Sequence, residues 1–325
     1  LTGSARHEGA FTDTVGVLTS WDDGVLRITR RGGQSVPIDE SALVAAKVVP
    51  AAPARRRGVP AASVRELVEV AARGWPAVET RRLGGWTLRA SAEPGTGAGK
   101  TRREGFTARA NSVLPLDDPG LAPAEALARA WRWYEARGLV PRVQVTTGGE
   151  RTDELLAARL EELGWSAERH ALLRVAALAP LADREPDERV RLGRTPGPEW
   201  FTLYRRAGQM PHAATEVLTG GPSVWFATVR EGGDDDGAAA GAAAIGRCVI
   251  DGRWAGFAAI EVAPGHRRRG LATAVMAELA RVALAEGASA AYLQVERDNE
   301  AARVLYDGLG FADHHAYHYR RAPEE

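Results

Sequence analysis

The stretch Ile260-Glu261-Val262-Ala263-Pro264-Gly265-His266-Arg267-Arg268-Arg269-Gly270-Leu271-Ala272-Thr273 carries the strongest chemical signal in the chain. A strand pattern ends at Val262, a turn follows, and an apolar-periodic helix begins near Gly270. The first N–H groups of a helix have no internal partner and sit at the positive end of its dipole. Small residues at Gly270 and Ala272 let a pyrophosphate come close to that backbone, and Arg267, Arg268 and Arg269 can add charge-assisted contacts. Further on, Asn299 opens a helical stretch that carries Tyr306 about two turns along.

Two motifs now stand in order: R-x-x-G-x-A after a strand ending V-x-P, then N-x-x-A-x-x-L-Y-x-x-x-G-F over 299–311. Together they resemble the GCN5-related N-acetyltransferases (GNATs), firmly over about 100 residues from Ser223 to Arg321. A weaker likeness, to actinobacterial-type proteins with a small SH3-like barrel and tandem GNAT-like units, covers nearly the whole chain. The resemblance implies an α/β (α+β) fold, a mixed and mostly antiparallel sheet flanked by helices. It also implies acetyl-CoA as cosubstrate, no metal, and transfer of its acetyl group to an amine by direct attack. Backbone groups of Ile260 and Val262 would pair with the pantetheine arm. The N–H groups from Arg268 through Gly270, Leu271 and Ala272 to Thr273 would hold the pyrophosphate. Asn299 would contact the pantetheine or anchor the local turn, and Tyr306 would face the departing sulfur as general acid. A phenol stays protonated at neutral pH, which suits that task.

The proton acceptor is harder to read. Relatives with a carboxylate base on this strand carry it at the parity of Val262, and those positions are Gly256 and Ala258. Simple strand alternation points Glu261 to the opposite face, so a structural or solvated carboxylate is expected there rather than a catalytic one. Freeing a lysine-like amine at pH 7 costs about 4–5 kcal/mol, an α-amine about 1, so a low-pKa acceptor could dispense with a base. His212 could serve from an acceptor loop but reads as an exposed loop residue. His314, His315 and His318 lie on a terminal strand and read as a solvated edge rather than a metal site.

Other motifs are decoys. Pro94-Gly95-Thr96-Gly97-Ala98-Gly99-Lys100-Thr101 resembles a phosphate loop, but proline stands at the first glycine position and a strand pattern follows over Phe106–Val113, so an extended hairpin loop is expected. Arg55-Arg56-Arg57-Gly58-Val59-Pro60 mimics the cradle, but proline offers no N–H. Asp234-Asp235-Asp236 reads as a solvated hairpin tip.

The elements that must position these residues fall into three segments: a small SH3-like β-barrel over 5–50, a degenerate GNAT-like domain over 61–178, and the catalytic GNAT domain over 187–325. Asp22-Asp23-Gly24 and Arg31-Gly32-Gly33 between β-branched runs give the hairpin signals of the first. The other two end alike, Leu160-Glu161-Glu162-Leu163-Gly164-Trp165 against Tyr306-Asp307-Gly308-Leu309-Gly310-Phe311, an internal repeat. Leu160 stands where Tyr306 stands, and no R-x-x-G-x-A precedes it. The first copy therefore keeps the scaffold without the cradle or the acid.

Composition sets the remaining bounds. Forty-two basic residues balance 42 acidic ones, so no global field draws the chain to nucleic acid or membrane, and neither is expected as a partner. A small-molecule or peptide amine is the expected acceptor, and the assembly a monomer or homodimer. The lone Cys248, in an apolar run, excludes an intramolecular disulfide and reads as a core thiol. No run approaches the ~18 apolar residues of a membrane helix, and a reducing cytoplasm is expected. The start, Leu1-Thr2-Gly3-Ser4, lacks Met and reads as truncated or tag-derived. Two rival functions remain: a non-catalytic acyl-CoA-binding or sensing protein, and an adaptor acting through the barrel.

Overall fold

The computed structural model describes residues 12–48, 58–92, 103–204, 212–232 and 241–323. The chain begins with three strands, β1 (Val17–Asp22), β2 (Val25–Thr29) and β3 (Ser35–Asp39), in one antiparallel sheet where a small barrel was expected. Asp23 and Gly24 both take positive φ, 50° and 74°, as a tight two-residue hairpin requires. The β2–β3 turn docks on the large sheet. Gly33 lies so close to the His318 ring that a Cβ there would stand 2.4 Å from it, and Thr147 Oγ1 donates to the Arg31 carbonyl at 2.8 Å.

The next segment runs α1 (Val64–Gly74), β4 (Glu79–Leu83), β5 (Trp86–Ala90), β6 (Val113–Pro115), α2 (Pro123–Glu135), β7 (Arg142–Thr147), α3 (Glu154–Glu162) and β8 (Ser166–Ala177). Helix α1 starts at Ser63, whose hydroxyl accepts from Glu66 N at 3.1 Å. After a short α4 (Ala179–Ala182) come β9 (Val190–Gly193), α5 (Pro198–Leu203), α6 (His212–Thr219), β10 (Ser223–Arg230), β11 (Ala242–Asp251) and β12 (Trp254–Val262). The chain then runs α7 (Leu271–Ala285), β13 (Ala290–Glu296), α8 (Glu300–Gly308) and β14 (Ala312–Arg321).

Strands β4 to β14 form one eleven-stranded sheet in the order β4-β5-β6-β7-β14-β8-β13-β12-β11-β10-β9. It is antiparallel except at β6–β7 and β12–β13, where α2 and α7 provide the crossovers. The sequence repeat is a structural repeat. Trp165 N bonds Leu160 O at 2.9 Å as Phe311 N bonds Tyr306 O at 3.0 Å, each after a glycine of positive φ, Gly164 at 78° and Gly310 at 85°. The two halves also exchange their last strands: β8 pairs with β13, β14 pairs with β7, and the two pair with each other at the centre.

Two sequence expectations are corrected here. Phe106–Val113 does not form a strand: a 3-10 turn occupies Ala108–Ala110, and only Val113–Pro115 is extended. The Asn111 amide donates to the carbonyls of Phe106 and Thr107, and Ser112 Oγ donates to Ala108 O, so side chains compete with the ladder. Nor is β14 a solvated edge. It is a central strand, and His315 and His318 are buried at 1% exposure each.

Candidate functional site

Strands β12 and β13 pair only over Trp254–Phe257 and Ala290–Leu293, and then diverge. From Ala258 to Val262, β12 has β11 on one side and, among the described residues, no strand on the other, while β13 continues along β8. Burial follows: Trp254 to Phe257 are buried and Ala258 to Val262 half-exposed. A bulge helps to open the gap. Ile245 faces Glu261 and Arg247 faces Ala258, so β12 has two residues, Ala259 and Ile260, against Gly246 alone. Ala259 takes φ 52°, outside the usual range of a residue with a side chain.

That extra residue corrects the parity argument. Directly opposed residues of an antiparallel pair share a face. Val262 lies opposite Ala244, while Gly256, Ala258 and Glu261 lie opposite Val249, Arg247 and Ile245. Gly256 and Ala258 therefore share the face of Glu261, not that of Val262, and a bulge between them is the reason.

Past Val262 the chain makes a 3-10 turn, Pro264–His266, held by His266 N to Ala263 O at 2.9 Å. Arg268 takes φ 60° and Gly270, the residue before α7, φ 78°. The first helical bond, Ala274 N to Gly270 O at 3.0 Å, leaves the N–H groups of Leu271, Ala272 and Thr273 without a partner inside the helix. Arg267, Arg268 and Arg269 are exposed. Arg267 Nε turns towards Val262 O at 3.5 Å, and Arg269 Nη1 lies 3.2 Å from His266 Nδ1. A Cβ built on Gly270 meets nothing within 4 Å, so space is open above the helix start. These groups suit a diphosphate.

Tyr306 and this helix start share one face of the sheet. Tyr306, 9% exposed, belongs to the apolar cluster holding Leu271, Phe257 and Phe311, against which Ile260 and Val262 also pack. Phe311 links the ends: its ring lies 6.4 Å from Phe257, where the strands part, and 5.8 Å from Tyr306. Asn299 caps α8, its side chain accepting from Ala302 N at 3.1 Å, which is the turn-anchoring geometry.

The opposite face is built from both halves of the chain. Ala258 and Ala259 pack there against a cluster that includes Trp75, Phe106, Trp200, Tyr204 and Ile245. Two guanidinium groups lie over the Trp75 ring, Arg109 at 4.1 Å and Arg247 at 5.1 Å, and its indole donates to Thr107 Oγ1 at 3.0 Å. Thr107 sits at φ 59°, strained for a β-branched residue. Arg109 donates to Gln294 on the open edge of β13 at 2.8 Å. Arg247 is fully buried and donates to the carbonyls of Leu218, Gly74 and Gly220, which ties α1 and α6 to β11. Burial lowers its pKa to about 10. Sequence reasoning missed Trp75, Phe106, Thr107 and Arg109; they lie more than 140 residues from β12 and no local pattern marks them.

The remaining candidates lie apart. His212 begins α6, exposed, with Glu216 3.4 Å away. His318 stacks on His170 at 5.0 Å, and both its ring nitrogens are buried without partners among the described residues. Among the described residues no group of three or more His, Cys, Asp or Glu could hold a metal, and no helix is long and apolar enough to cross a membrane. Cys248 is buried, which pushes its thiol up to about 12. The loop 94–101 and the aspartates 234–236 lie outside the described residues, as do Arg55, Arg56 and Arg57.

Comparison with known proteins adds an independent line. Residues 61–320 match the family described as "Probable histone acetyltransferase Rv0428c C-terminal". The chain is 30% identical over 311 residues to the probable histone acetyltransferase Rv0428c of Mycobacterium tuberculosis, covering 95% of this chain and 88% of that protein. It is 27% identical over 285 residues to the uncharacterized N-acetyltransferase YobR of Bacillus subtilis, covering 79% and 98%. In fold it is similar to a GCN5-related N-acetyltransferase from Kribbella flavida, with a TM-score of 0.55 at 17% identity, over 82% of this chain and 98% of that one.

Proposed function

This chain belongs to the GCN5-related N-acetyltransferase family and is an acetyltransferase of that type; on that premise we propose that it moves the acetyl group of acetyl-CoA to an amine at the gap between β12 and β13. One observation supports the reading most: the strands part after Phe257, and β12 leads through a short turn to a helix whose first N–H groups have no partner inside the helix. The diphosphate of coenzyme A would rest on Gly270, Leu271, Ala272 and Thr273, with Arg267, Arg268 and Arg269 around it. The pantetheine arm would run along the open edge of β12 at Ile260 and Val262, replacing the missing strand. Each anion contact at a helix start contributes about 0.3–1 kcal/mol, so several together are needed for useful affinity.

The gap borders both faces of the sheet, which divides the labour. From one face the acceptor nitrogen attacks the thioester carbonyl carbon, a C–N bond forms, and the C–S bond breaks. The thiolate takes a proton from Tyr306 on the other face. The amine proton passes to Glu261, directly or through water. Phe106, Thr107 and Arg109 of the first half would wall the acceptor side, giving that half a role although it lacks the cradle. The acceptor is an amine of a small molecule or a peptide. The setting is the cytoplasm.

The test compares Gly270→Glu with Gly270→Ala by calorimetric titration of coenzyme A. Both side chains strain a left-handed residue by about 1–2 kcal/mol, but only glutamate opposes the phosphates. Coenzyme A should bind the alanine protein and fail to bind the glutamate protein; equal binding by folded protein rejects the cradle. Release of free thiol from acetyl-CoA in the presence of an amine panel then separates an enzyme from an acyl-CoA sensor.

A further inference from the structure

At the far edge of the large sheet lies a cavity of about 480 Å³, between β4–β5 and the C-terminal end of α2. Arginine dominates its lining: Arg81, Arg82, Arg129, Arg132 and Arg137 surround it, with Trp133 on its wall. We propose that this groove binds a compact anion carrying two or more phosphate groups.

Three observations support it. First, Arg129, Arg132 and Trp133 stand at i, i+3 and i+4 of α2, and Arg137 follows in the turn just after it, so this end of the helix presents a mostly cationic face to the groove. An edge strand uses charge to avoid pairing with other chains, which accounts for Arg81 and Arg82. It does not account for the helix arginines that converge on the same space. Second, carboxylates meet only part of this charge. Glu79 pairs with Arg137, and Glu125 pairs with Arg129 at 2.7 Å. Arg132 Nε donates to the carbonyl of Ala128, at 3.3 Å, and Arg82 to the hydroxyl of Thr87. Third, the indole N–H of Trp133, 5% exposed, is buried without an acceptor among the described residues.

The form of the ligand follows from what surrounds the groove. Glu79 and Glu125 interrupt the basic run, so a polymer would meet carboxylates as it left the cavity. The Arg137 guanidinium already covers the Trp133 ring at 3.8 Å, leaving no free face on which a nucleobase could stack. A compact, multiply charged anion fits both conditions. Guanidinium pairs bind phosphate oxygens two at a time, which favours oligophosphate over monophosphate.

The experiment is calorimetric titration of inorganic tripolyphosphate into the full chain at low salt. It uses the parent, Arg81→Ser/Arg132→Ser and Gly270→Glu proteins, with coenzyme A binding by the double variant as a check on its fold. Tripolyphosphate should bind the parent and the Gly270→Glu protein alike, weaken at least tenfold in the double variant, and bind at least tenfold tighter than inorganic phosphate. Binding lost with Gly270→Glu and kept by the double variant would place the anion at the other site and overturn the proposal. So would no binding at all, or a mixed 20-nucleotide pool that uses the same arginines and binds tenfold tighter than tripolyphosphate.

Discussion

Arg174, on the last strand of the first half, binds Asp307, the residue next to Tyr306 on a helix of the second half. The same guanidinium donates to the Phe311 carbonyl at 2.7 Å and lies 2.7 Å from an Asp313 carboxylate oxygen. The exchange of β8 and β14 thus makes the first half a support for the proposed acid. Arg174 is 5% exposed, whereas Asp307 is largely in solvent, so its hydrogen bonds are only partly desolvated.

Removing that support should be felt in geometry as well as stability. Arg174→Leu is expected to lower the unfolding free energy by about 1.5–3 kcal/mol, the range for hydrogen bonds to charged groups. It should lower kcat more than it weakens coenzyme A binding, because α8 moves while the start of α7 does not. Urea unfolding and steady-state kinetics check both parts. Arg174→Lys should restore stability only partly, since lysine cannot reproduce the guanidinium fork.

Tyr306→Phe removes one hydroxyl and keeps the ring packed on Phe311. Turnover should fall at least tenfold, about 1.4 kcal/mol of transition-state stabilisation, while coenzyme A affinity stays at the parental value. Unchanged turnover in a thiol-release assay rejects the acid role.

Glu261→Gln tests the bulge-derived placement of the carboxylate. Removing a general base typically lowers the rate 10²–10⁴-fold, and the acid limb of the kcat/KM profile should disappear with it. A parental pH profile would show that the amine sheds its proton elsewhere.

The buried histidines predict a pH dependence of stability. Burial, with Arg320 and His170 nearby, pushes His318 down to about 3, and burial with His314 nearby does the same to His315. Both are neutral in the native state at pH 5, whereas in the unfolded chain they take up protons near ~6.5. The unfolded state therefore binds more protons below about 6.5, so their contribution is present above that pH and is lost progressively as pH falls towards about 3. Each histidine adds at most about 1.36 kcal/mol per pH unit. His318→Leu should flatten the fall in unfolding free energy between pH 6.5 and 4.5 by up to that slope. An identical slope in parent and variant would contradict it.

Cys248 should resist thiol reagents in the native state, because its burial holds it as the unreactive thiol. It should react in full in guanidinium chloride. Stoichiometric labelling of folded protein would contradict its placement.

Much of the local machinery was legible from residue types. Gly270 marks the start of a helix, the one proposed to hold an anion, and the Leu160-to-Trp165 echo of Tyr306-to-Phe311 marks a repeated unit. These are short-range signals, carried by periodicity, capping and positive-φ glycine within about a dozen residues. Strand order was not legible. Nothing in Ala312–Arg321 says that it lies between β7 and β8 rather than at an edge, because pairing with partners over 100 residues away decides that. The bulge at Ala259 was equally hidden: it adds one residue to one strand without an unusual residue type, yet reverses which side chains share the face of Glu261. Chemistry that depends on one helix end could be read along the chain. Chemistry that needs two faces of a sheet to meet at a gap depended on tertiary pairing.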